Sequence, residues 1–107
     1  MKNVYVIGVF DLFHFGHVEL LRRAKELGDR LIVAINGDEM VASYKRRPFL
    51  SEQDRLEVVK ACRYVDDAFI IHGYDNKEYI KKYDIDIIPL HILLGNDEYK
   101  DGLTITP

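Results

Sequence analysis

The feature that most constrains the fold is a short apolar run that leads, through one turn, into an amphipathic helix pattern. Val4 to Ile7 is continuously apolar and rich in β-branched residues, which predicts a strand buried on both faces. From Val18 onward, apolar residues recur at helical spacing with charged residues opposite them, and the helix is expected to end at Gly28. Residues 30–35 return to the buried-strand pattern. The stretch therefore predicts a β-α-β unit with a right-handed crossover.

The rest of the chain continues to alternate between helix and strand patterns. The expected elements are a short helix from Asp38 to about Ser43, a loop over residues 44–48, a helix that begins in the capping sequence of residues 51–54, a strand from Asp67 to Ile71, a helix from Asp75 to Tyr83 and a strand from Ile85 to Leu90. Pro89 weakens the last strand, because proline lacks the N–H of a ladder donor. The alternation predicts an α/β fold in which a mostly parallel sheet lies between two helix layers.

Composition indicates a single soluble domain over residues 1–107, with 48% hydrophobic and 31% charged residues. The net charge of −3 leads us to expect neither a nucleic acid nor a membrane as partner, so any bound anion needs a local positive site. Cys62 is the single cysteine, which excludes an internal disulfide and suits a reducing compartment. The amino terminus lacks the apolar stretch of a signal peptide or a membrane span, and we expect a cytoplasmic location.

The loop after the first strand is the strongest candidate for a binding site. In open parallel sheets, ligands bind beyond the carboxyl ends of the strands, where residues 8–17, 36–38 and 95–97 are expected to converge. Gly8 lets a ligand approach the backbone, while His14 and His17, near a helix start, can direct imidazole donors at phosphate oxygens. Gly16 leaves room between them. The loop matches neither G-x-G-x-x-G nor G-x-x-x-x-G-K-[ST], so it predicts a different kind of phosphate site.

Several of these residues also have a purely structural interpretation. A histidine pair with this spacing can bind zinc, but no cysteine cluster or H-E-x-x-H accompanies it, and no protein-bound metal is expected. Asp11 could simply cap a turn. The cations of residues 45–47 could form a solvated charge run, and Arg55 and Arg63 could pair with nearby carboxylates on the surface.

The sequence G-V-F-D-L-F-H-F-G-H resembles the H-x-G-H signature of the cytidylyltransferase family. The resemblance extends without gaps from about residue 1 to residue 66, and includes residues 20–29, 38–39 and 63–66. Within the family, the glycerol-3-phosphate cytidylyltransferases look most similar. Choline-phosphate and ethanolamine-phosphate cytidylyltransferases, and adenylyl-transferring relatives such as archaeal FAD synthetase, share much of the pattern.

The resemblance implies a Rossmann-like, doubly wound fold and a transfer of CMP from CTP to a small phosphorylated alcohol, with glycerol 3-phosphate as the favoured acceptor. A phosphate oxygen of the acceptor would attack the α-phosphorus of CTP and expel pyrophosphate. Because this nucleophile is already an anion, no general base is required. The family also implies Mg²⁺ with CTP and a homodimer. The alternatives are phosphoethanolamine or phosphocholine as acceptor, adenylyl transfer from ATP, and a weakly active nucleotide-binding module.

The resemblance also assigns roles to individual positions. The implied catalytic residues are His14, His17 and Arg46, the last standing where glycerol-type enzymes have lysine. The implied nucleotide-binding residues are Gly8, Val9, Phe10, Asp11, His14, His17, Arg63, Gly95, Asn96, Asp97 and Thr104. The implied acceptor-binding residues are Asp11, Asp38, Lys45, Arg46 and Arg55.

Two departures from the family pattern stand out. Val9 stands where members often have threonine, so a hydroxyl contact would be missing there while backbone contacts remain. Residues 101–106 match only the second half of the family's R-T-E-G-I-S-T-T motif, with no arginine in the matching place. The domain is therefore expected to lack the family's last helix. The alternatives are a truncated chain, a shortened natural variant and a decayed enzyme with weakened CTP binding.

Overall fold

A computed structural model describes residues 1–44, 46–73 and 75–89, together with the backbone of residues 103–104. The elements in chain order are β1 (Asn3–Gly8), α1 (Phe15–Lys25), β2 (Arg30–Asn36), α2 (Asp38–Ala42), α3 (Glu52–Lys60), β3 (Asp67–Ile71), α4 (Lys77–Lys82), β4 (Ile87–Ile88) and β5 (Leu103–Thr104). The predicted alternation of strands and helices is therefore confirmed up to β4. Ser51 caps α3 by accepting a hydrogen bond from the N–H of Asp54, as the capping sequence predicts.

The strands form one sheet in the order β3-β2-β1-β4-β5. β1 runs parallel to β2 from Asn3 beside Arg30 to Gly8 beside Ile35, and β2–β3 and β1–β4 are also parallel. β5 pairs antiparallel with β4, which the sequence analysis did not predict, because a strand of two residues has no period to detect. The strand order reverses direction at β1, and this switch point is where open α/β sheets bind ligands.

Helices cover both faces of the sheet, which confirms the three-layer α/β/α arrangement and the Rossmann-like fold class. One apolar cluster joins β1 and β2 to the inner sides of α1 and α3, and its buried members are Val4, Val6, Phe10, Leu21, Ala24, Leu31, Val33, Ile35, Val59 and Ile87. The other joins the opposite face to α4, with Tyr5, Ile32, Ala34, Ile71 and Ile85 buried. The continuous apolar strands are thus buried on both faces, as predicted.

Two of the boundaries that differ from the sequence-based expectation have a physical cause in the structure. The last predicted strand begins at Ile87 instead of Ile85, because the N–H of Ile85 donates to the carbonyl of Ile80 and closes α4. Helix α1 ends at Lys25 instead of Gly28. A Cβ at Gly28 would lie 2.7 Å from the carbonyl oxygen of Lys2. Glycine is therefore required there by the close approach of the chain to β1, and not by the end of the helix.

The close approach at Gly28 makes a testable prediction about stability. A methyl group at this position meets backbone and the side chain of Val4, so Gly28→Ala should lower the free energy of unfolding by about 1 to 3 kcal/mol. Gly73→Ala is the matched control, because nothing lies within 4 Å of its Cβ position and this change should cost nothing. Urea unfolding of both variants measures the difference, and equal midpoints would contradict the packing argument.

Candidate functional site

The loop between β1 and α1 has a tightly folded backbone. Phe10 and Leu12 adopt positive φ angles of 54° and 51°, a region that non-glycine residues rarely occupy. The ring of Phe10 folds back over Gly8, and a Cβ on Gly8 would lie 2.8 Å from it. Gly8 is therefore needed so that this ring can close the base of the loop. Non-glycine residues in this left-handed conformation persist only where surrounding contacts hold them in place. They cluster at ligand sites.

The two histidines cap helix α1 reciprocally. The Nδ1 atom of His14 accepts from the N–H of Gly16 at 2.9 Å, and the Nδ1 atom of His17 accepts from the N–H of His14 at 3.0 Å. An accepting Nδ1 carries no proton, so the proton of each neutral ring lies on Nε2. Each imidazole can thus donate from Nε2 at the positive end of the helix dipole. The sequence analysis predicted donors here but did not predict that the rings also act as caps.

Gly16 is required by the cap itself. A Cβ at this position would lie 2.6 Å from Cε1 of His14. The structure confirms the prediction that Gly16 leaves room beside the histidines, because the His14 ring occupies the space that a Cβ would need.

Aromatic rings surround His17 and fix its orientation. Phe13 stacks on it with ring centroids 5.3 Å apart and an interplanar angle of 16°. The centroids of Phe10 and His14 lie 5.7 Å and 4.2 Å away. Partial burial lowers the pKa of His17, the proximity of His14 lowers it further, and Asp11 opposes both effects. At neutral pH His17 is therefore an uncharged donor.

Two concave spaces adjoin this loop and share part of their walls. The larger, of about 340 Å³, is lined by Ile7, Gly8, Val9, Phe10, Asp11, His17 and Leu20. The smaller, of about 160 Å³, is lined by Val9, Asp11, Val41, Arg46, Arg47 and Pro48. We call them the imidazole crevice and the arginine cavity. Because Val9 and Asp11 line both, groups bound in the two spaces would meet at these residues.

Asp11 fastens the segment of residues 46–50 to the loop. Its carboxylate oxygens accept hydrogen bonds from the N–H groups of Phe49 and Leu50 at 2.7 and 2.9 Å. Partial burial raises the pKa of Asp11, but the backbone donors of Leu50, Phe49 and Leu12 outweigh this effect, and the pKa lies below its ordinary value. Asp11 is therefore ionised and holds the shared wall together. Its predicted contacts with nucleotide and acceptor stay predictions.

Arg55 is buried and not exposed to the arginine cavity. Its side chain is 0% exposed and donates to the carbonyl oxygens of Val9, Asn36 and Leu50 and to the carboxylate of Asp38. The structure therefore corrects the prediction that Arg55 binds the acceptor directly, since its donors already hold protein groups. The alternative of a surface ion pair with a neighbouring carboxylate is also wrong. Arg55 joins the segments that form the crevice.

Asp38 takes part in the same junction. One of its carboxylate oxygens accepts from Arg55 at 2.6 Å and the other from the N–H of Glu52 at 3.3 Å. Glu52 in turn accepts from the N–H of Asp38 at 2.8 Å. The two helix starts thus cap each other, and the contacts of Asp38 are structural. Its predicted role in acceptor binding is not supported by this arrangement.

Arg63 lies at the opposite edge of the sheet from the histidines. It follows α3, which runs antiparallel to the strands, and it precedes β3, so it lies at the amino ends of the strands. Nearby, Asp66 accepts from the N–H of Leu31, at the start of β2. The Arg63 guanidinium lies over the Tyr64 ring and donates to its hydroxyl. Within this chain, the structure does not bring Arg63 to the predicted nucleotide site.

Four of the remaining predicted residues lie outside the described residues, and a fifth is described by its backbone alone. Lys45, Gly95, Asn96 and Asp97 lie outside the described residues, while Thr104 contributes its backbone to β5 beside Ile87. Among the described residues, no group of three or more His, Cys, Asp or Glu side chains could hold a metal ion. No helix within the described ranges is long and apolar enough to cross a membrane.

Two aromatic residues near the site were missed by the sequence analysis. Phe13 stacks on His17, and Phe49 lies under the guanidinium of Arg46 with the Arg46 Cζ atom 4.3 Å from the ring centroid. The signal for Phe13 was its position inside the histidine motif. Phe49 had no periodic signal, because it lies in a loop between two cations and a helix start.

The low pKa of His17 predicts a loss of stability on acidification. Folding lowers this pKa below 6.5, so the unfolded chain binds more protons as the pH falls below that value. The free energy of unfolding should therefore be retained above about pH 6.5 and decline below it. His17→Gln keeps an acceptor at the third helical position but cannot titrate. Urea unfolding can be measured between pH 7.5 and 5.5, which is roughly one unit either side of the ordinary histidine pKa. The free energy of unfolding should decline less over this range in His17→Gln than in the wild type, and parallel curves would contradict the assignment.

Comparison with known proteins identifies the family. The model of the Cytidylyltransferase-like family matches residues 5–104. The FAD synthase of Thermococcus kodakarensis is 45% identical over 91% of this chain and 64% of its own length. The glycerol-3-phosphate cytidylyltransferase of Staphylococcus aureus is 38% identical over 91% of this chain and 71% of its own length.

Other relatives are much longer than this chain. An ethanolamine-phosphate cytidylyltransferase of Arabidopsis thaliana is 39% identical over 92% of this chain, which spans 24% of that protein. Among solved structures, the lipopolysaccharide core biosynthesis protein of Thermoplasma volcanium matches with a TM-score of 0.78 at 32% identity, over 83% of this chain and 73% of that one. The family match covers nearly the whole chain and includes both the histidine loop and the sheet that carries it. The chain belongs to the cytidylyltransferase-like family.

Proposed function

We propose that this protein is a nucleotidyltransferase that moves CMP from CTP to a small phosphorylated alcohol, most favourably glycerol 3-phosphate, to give a CDP-alcohol and pyrophosphate. The observation that carries the proposal is the pair of imidazoles whose Nδ1 atoms cap α1, which leaves Nε2 of each ring as a donor. His17 lines the imidazole crevice, and the centroid of the His14 ring lies 4.2 Å from that of His17. Membership of the cytidylyltransferase-like family supports it. We also propose a cytoplasmic homodimer.

The shared wall of the two spaces gives the reaction its geometry. The triphosphate would lie against the helix start and the Nε2 donors of His14 and His17, and the acceptor phosphate would lie beside Arg46 in the arginine cavity. The reacting oxygen and the α-phosphorus would then meet near Val9 and Asp11. Holding both anions in this arrangement would lower the entropic part of the activation barrier, because the two reactants no longer have to meet by diffusion.

The chemical step needs no proton transfer. A phosphate oxygen of the acceptor forms a bond to the α-phosphorus while the bond to the bridging oxygen breaks, and pyrophosphate leaves with the electron pair. Negative charge grows on the leaving group and on the equatorial oxygens of the α-phosphate. Nε2 donors on rings that are fixed by their own caps would stabilise that charge without reorganising.

Mg²⁺ would arrive with the nucleotide. The described residues offer no carboxylate cluster to hold the ion, and both oxygens of Asp11 accept backbone hydrogen bonds. We therefore propose that phosphate oxygens of CTP, and not protein side chains, would coordinate the ion. Coordination by substrate phosphates is typical of Mg²⁺ at nucleotide sites. The ion would reduce the negative charge of the triphosphate, while the imidazoles orient it.

A second candidate function is adenylyl transfer from ATP in the formation of FAD. The relative named FAD synthase shares 45% of aligned residues with this chain, against 38% for the relative named glycerol-3-phosphate cytidylyltransferase. The nucleotide-binding segment expected at residues 95–97 lies outside the described residues, so it does not decide between the two nucleotides.

A pyrophosphate-release assay separates these functions. CTP and ATP are each tested with glycerol 3-phosphate, phosphoethanolamine, phosphocholine and FMN. We expect turnover with CTP and glycerol 3-phosphate to exceed all other combinations. Turnover with ATP and FMN alone would replace the proposal with the second candidate. Calorimetric binding of CTP without turnover of any acceptor would show a nucleotide-binding module instead.

Removal of either imidazole tests the proposed role of the histidine pair. His14→Ala and His17→Ala should each lower kcat by about a hundredfold or more, the usual effect of losing a fixed donor to a transition state. Because both rings also cap α1, thermal unfolding must show that each variant is folded at the assay temperature. His72→Ala, at the end of β3, is the control and should keep the wild-type rate. A wild-type rate in either of the first two variants would remove these residues from the mechanism.

A further inference from the structure

Phe49 is a large apolar side chain that the fold leaves in solvent. Its exposed fraction is 62%, although it lies beside the arginine cavity and not at a chain end. Burying a phenylalanine stabilises a protein by about 1.5 to 3 kcal/mol, so an exposed ring next to a binding cavity contributes little to folding. The structure gives it another contact, since the guanidinium Cζ of Arg46 lies 4.3 Å from the centre of the ring.

The backbone of Phe49 is fixed even though its ring is exposed. Its N–H donates to Asp11 at 2.7 Å, and the N–H of Leu50 donates to the other oxygen of the same carboxylate. The carbonyl of Leu50 accepts from the buried Arg55 at 3.0 Å. The ring therefore projects from an anchored segment, and a cation that stacks on it has a defined position relative to the loop of the histidines.

Because the partner of Arg46 is an aromatic ring and not a carboxylate, the charge of Arg46 remains available to an incoming anion. The neighbouring Arg47 pairs with Glu39 at 2.6 Å, and that carboxylate competes with any incoming anion. Among the described ion pairs, none involves Arg46. A ring face attracts the guanidinium through its quadrupole but carries no net charge and leaves the in-plane N–H donors free for a phosphate.

We propose that Phe49 is a positioning residue that holds the guanidinium of Arg46 at the mouth of the arginine cavity, ready for the phosphate of the acceptor. The inference rests on the proposed function, in which Arg46 binds that phosphate. The ring does not touch the reacting atoms. It acts by restricting a long, flexible side chain to the conformation in which the cation faces the cavity that it lines.

Steady-state kinetics with CTP and glycerol 3-phosphate test the inference. Phe49→Leu should raise the KM for glycerol 3-phosphate about two- to fivefold, the equivalent of an exposed cation–π contact, and leave the KM for CTP unchanged. Phe49→Trp, which keeps a ring face, should restore the wild-type KM. Val58→Ala is the matched control, because it removes exposed apolar surface from α3 away from both spaces and should change neither KM.

A measurement without turnover keeps the test independent of the proposed reaction. In NMR spectra of the wild type, the Arg46 side-chain resonances should show a ring-current shift that Phe49→Leu abolishes. Titration with inorganic phosphate should move these resonances, and phosphate should bind two- to fivefold more weakly to Phe49→Leu, as expected for the loss of about one cation–π contact.

The outcomes separate the inference from the proposed function. An unchanged acceptor KM in Phe49→Leu, alongside a raised one in Arg46→Ala, would overturn the role of Phe49 and leave the proposed function intact. Equal increases of both KM values, or no rescue by tryptophan, would show a general structural effect and also overturn it. If the wild type transfers nothing to glycerol 3-phosphate, the proposed acceptor is wrong, and the phosphate titration alone supports or overturns the positioning of Arg46.

Discussion

The buried guanidinium of Arg55 is the contact on which the candidate site depends. It binds carbonyl oxygens from the β1–α1 loop, the end of β2 and the segment before α3, and it pairs with Asp38 at the start of α2. Removing one partner of a buried ion pair typically costs about 3 to 5 kcal/mol, because the other charge is left without compensation. The four segments are therefore held in one arrangement, and three of them border the spaces proposed for the two substrates: the β1–α1 loop, the segment before α3 and, through Val41, α2.

This junction also explains how the loop keeps its unfavourable backbone. Phe10 and Leu12 are held at positive φ, and each such residue costs of order 1 kcal/mol or more unless its surroundings fix it. The carbonyl of Val9, directly before them, is bound by Arg55, and the carboxylate of Asp11, between them, accepts from Phe49 and Leu50. Strain in the loop is thus offset by contacts to α3 and the segment that precedes it. The imidazole donors at the end of the loop are positioned before any ligand arrives.

The sequence predicted the layers of the fold but not the contacts that join them. Buried strands and amphipathic helices are local patterns, so β1, α1, β2, α3 and β3 could be placed from the sequence, and the histidine motif could be placed at a helix start. Arg55 was different, because a charged residue three positions after Glu52 in a predicted helix has the pattern of a surface ion pair. Its burial depends on carbonyl groups distant in sequence. Arg63 was assigned by resemblance, whereas its place at the far edge follows from the antiparallel direction of α3, a topological fact with no local signal.

The charges of the candidate site are divided in a way that matches the two anionic substrates proposed for it. A phosphate monoester and a nucleoside triphosphate repel each other, so a site that joins them needs positive charge where the acceptor binds and donors where charge develops later. In the proposed function Arg46 supplies this charge, and the Phe49 ring on which it stacks carries no net charge that would neutralise it. Burial and the proximity of His14 lower the pKa of His17, so in the proposed function this ring would add one directed hydrogen bond without attracting the acceptor phosphate to the wrong side. In a chain with a net charge of −3, the proposed function therefore gives the acceptor a place beside Arg46 and the triphosphate a place beside the imidazole donors.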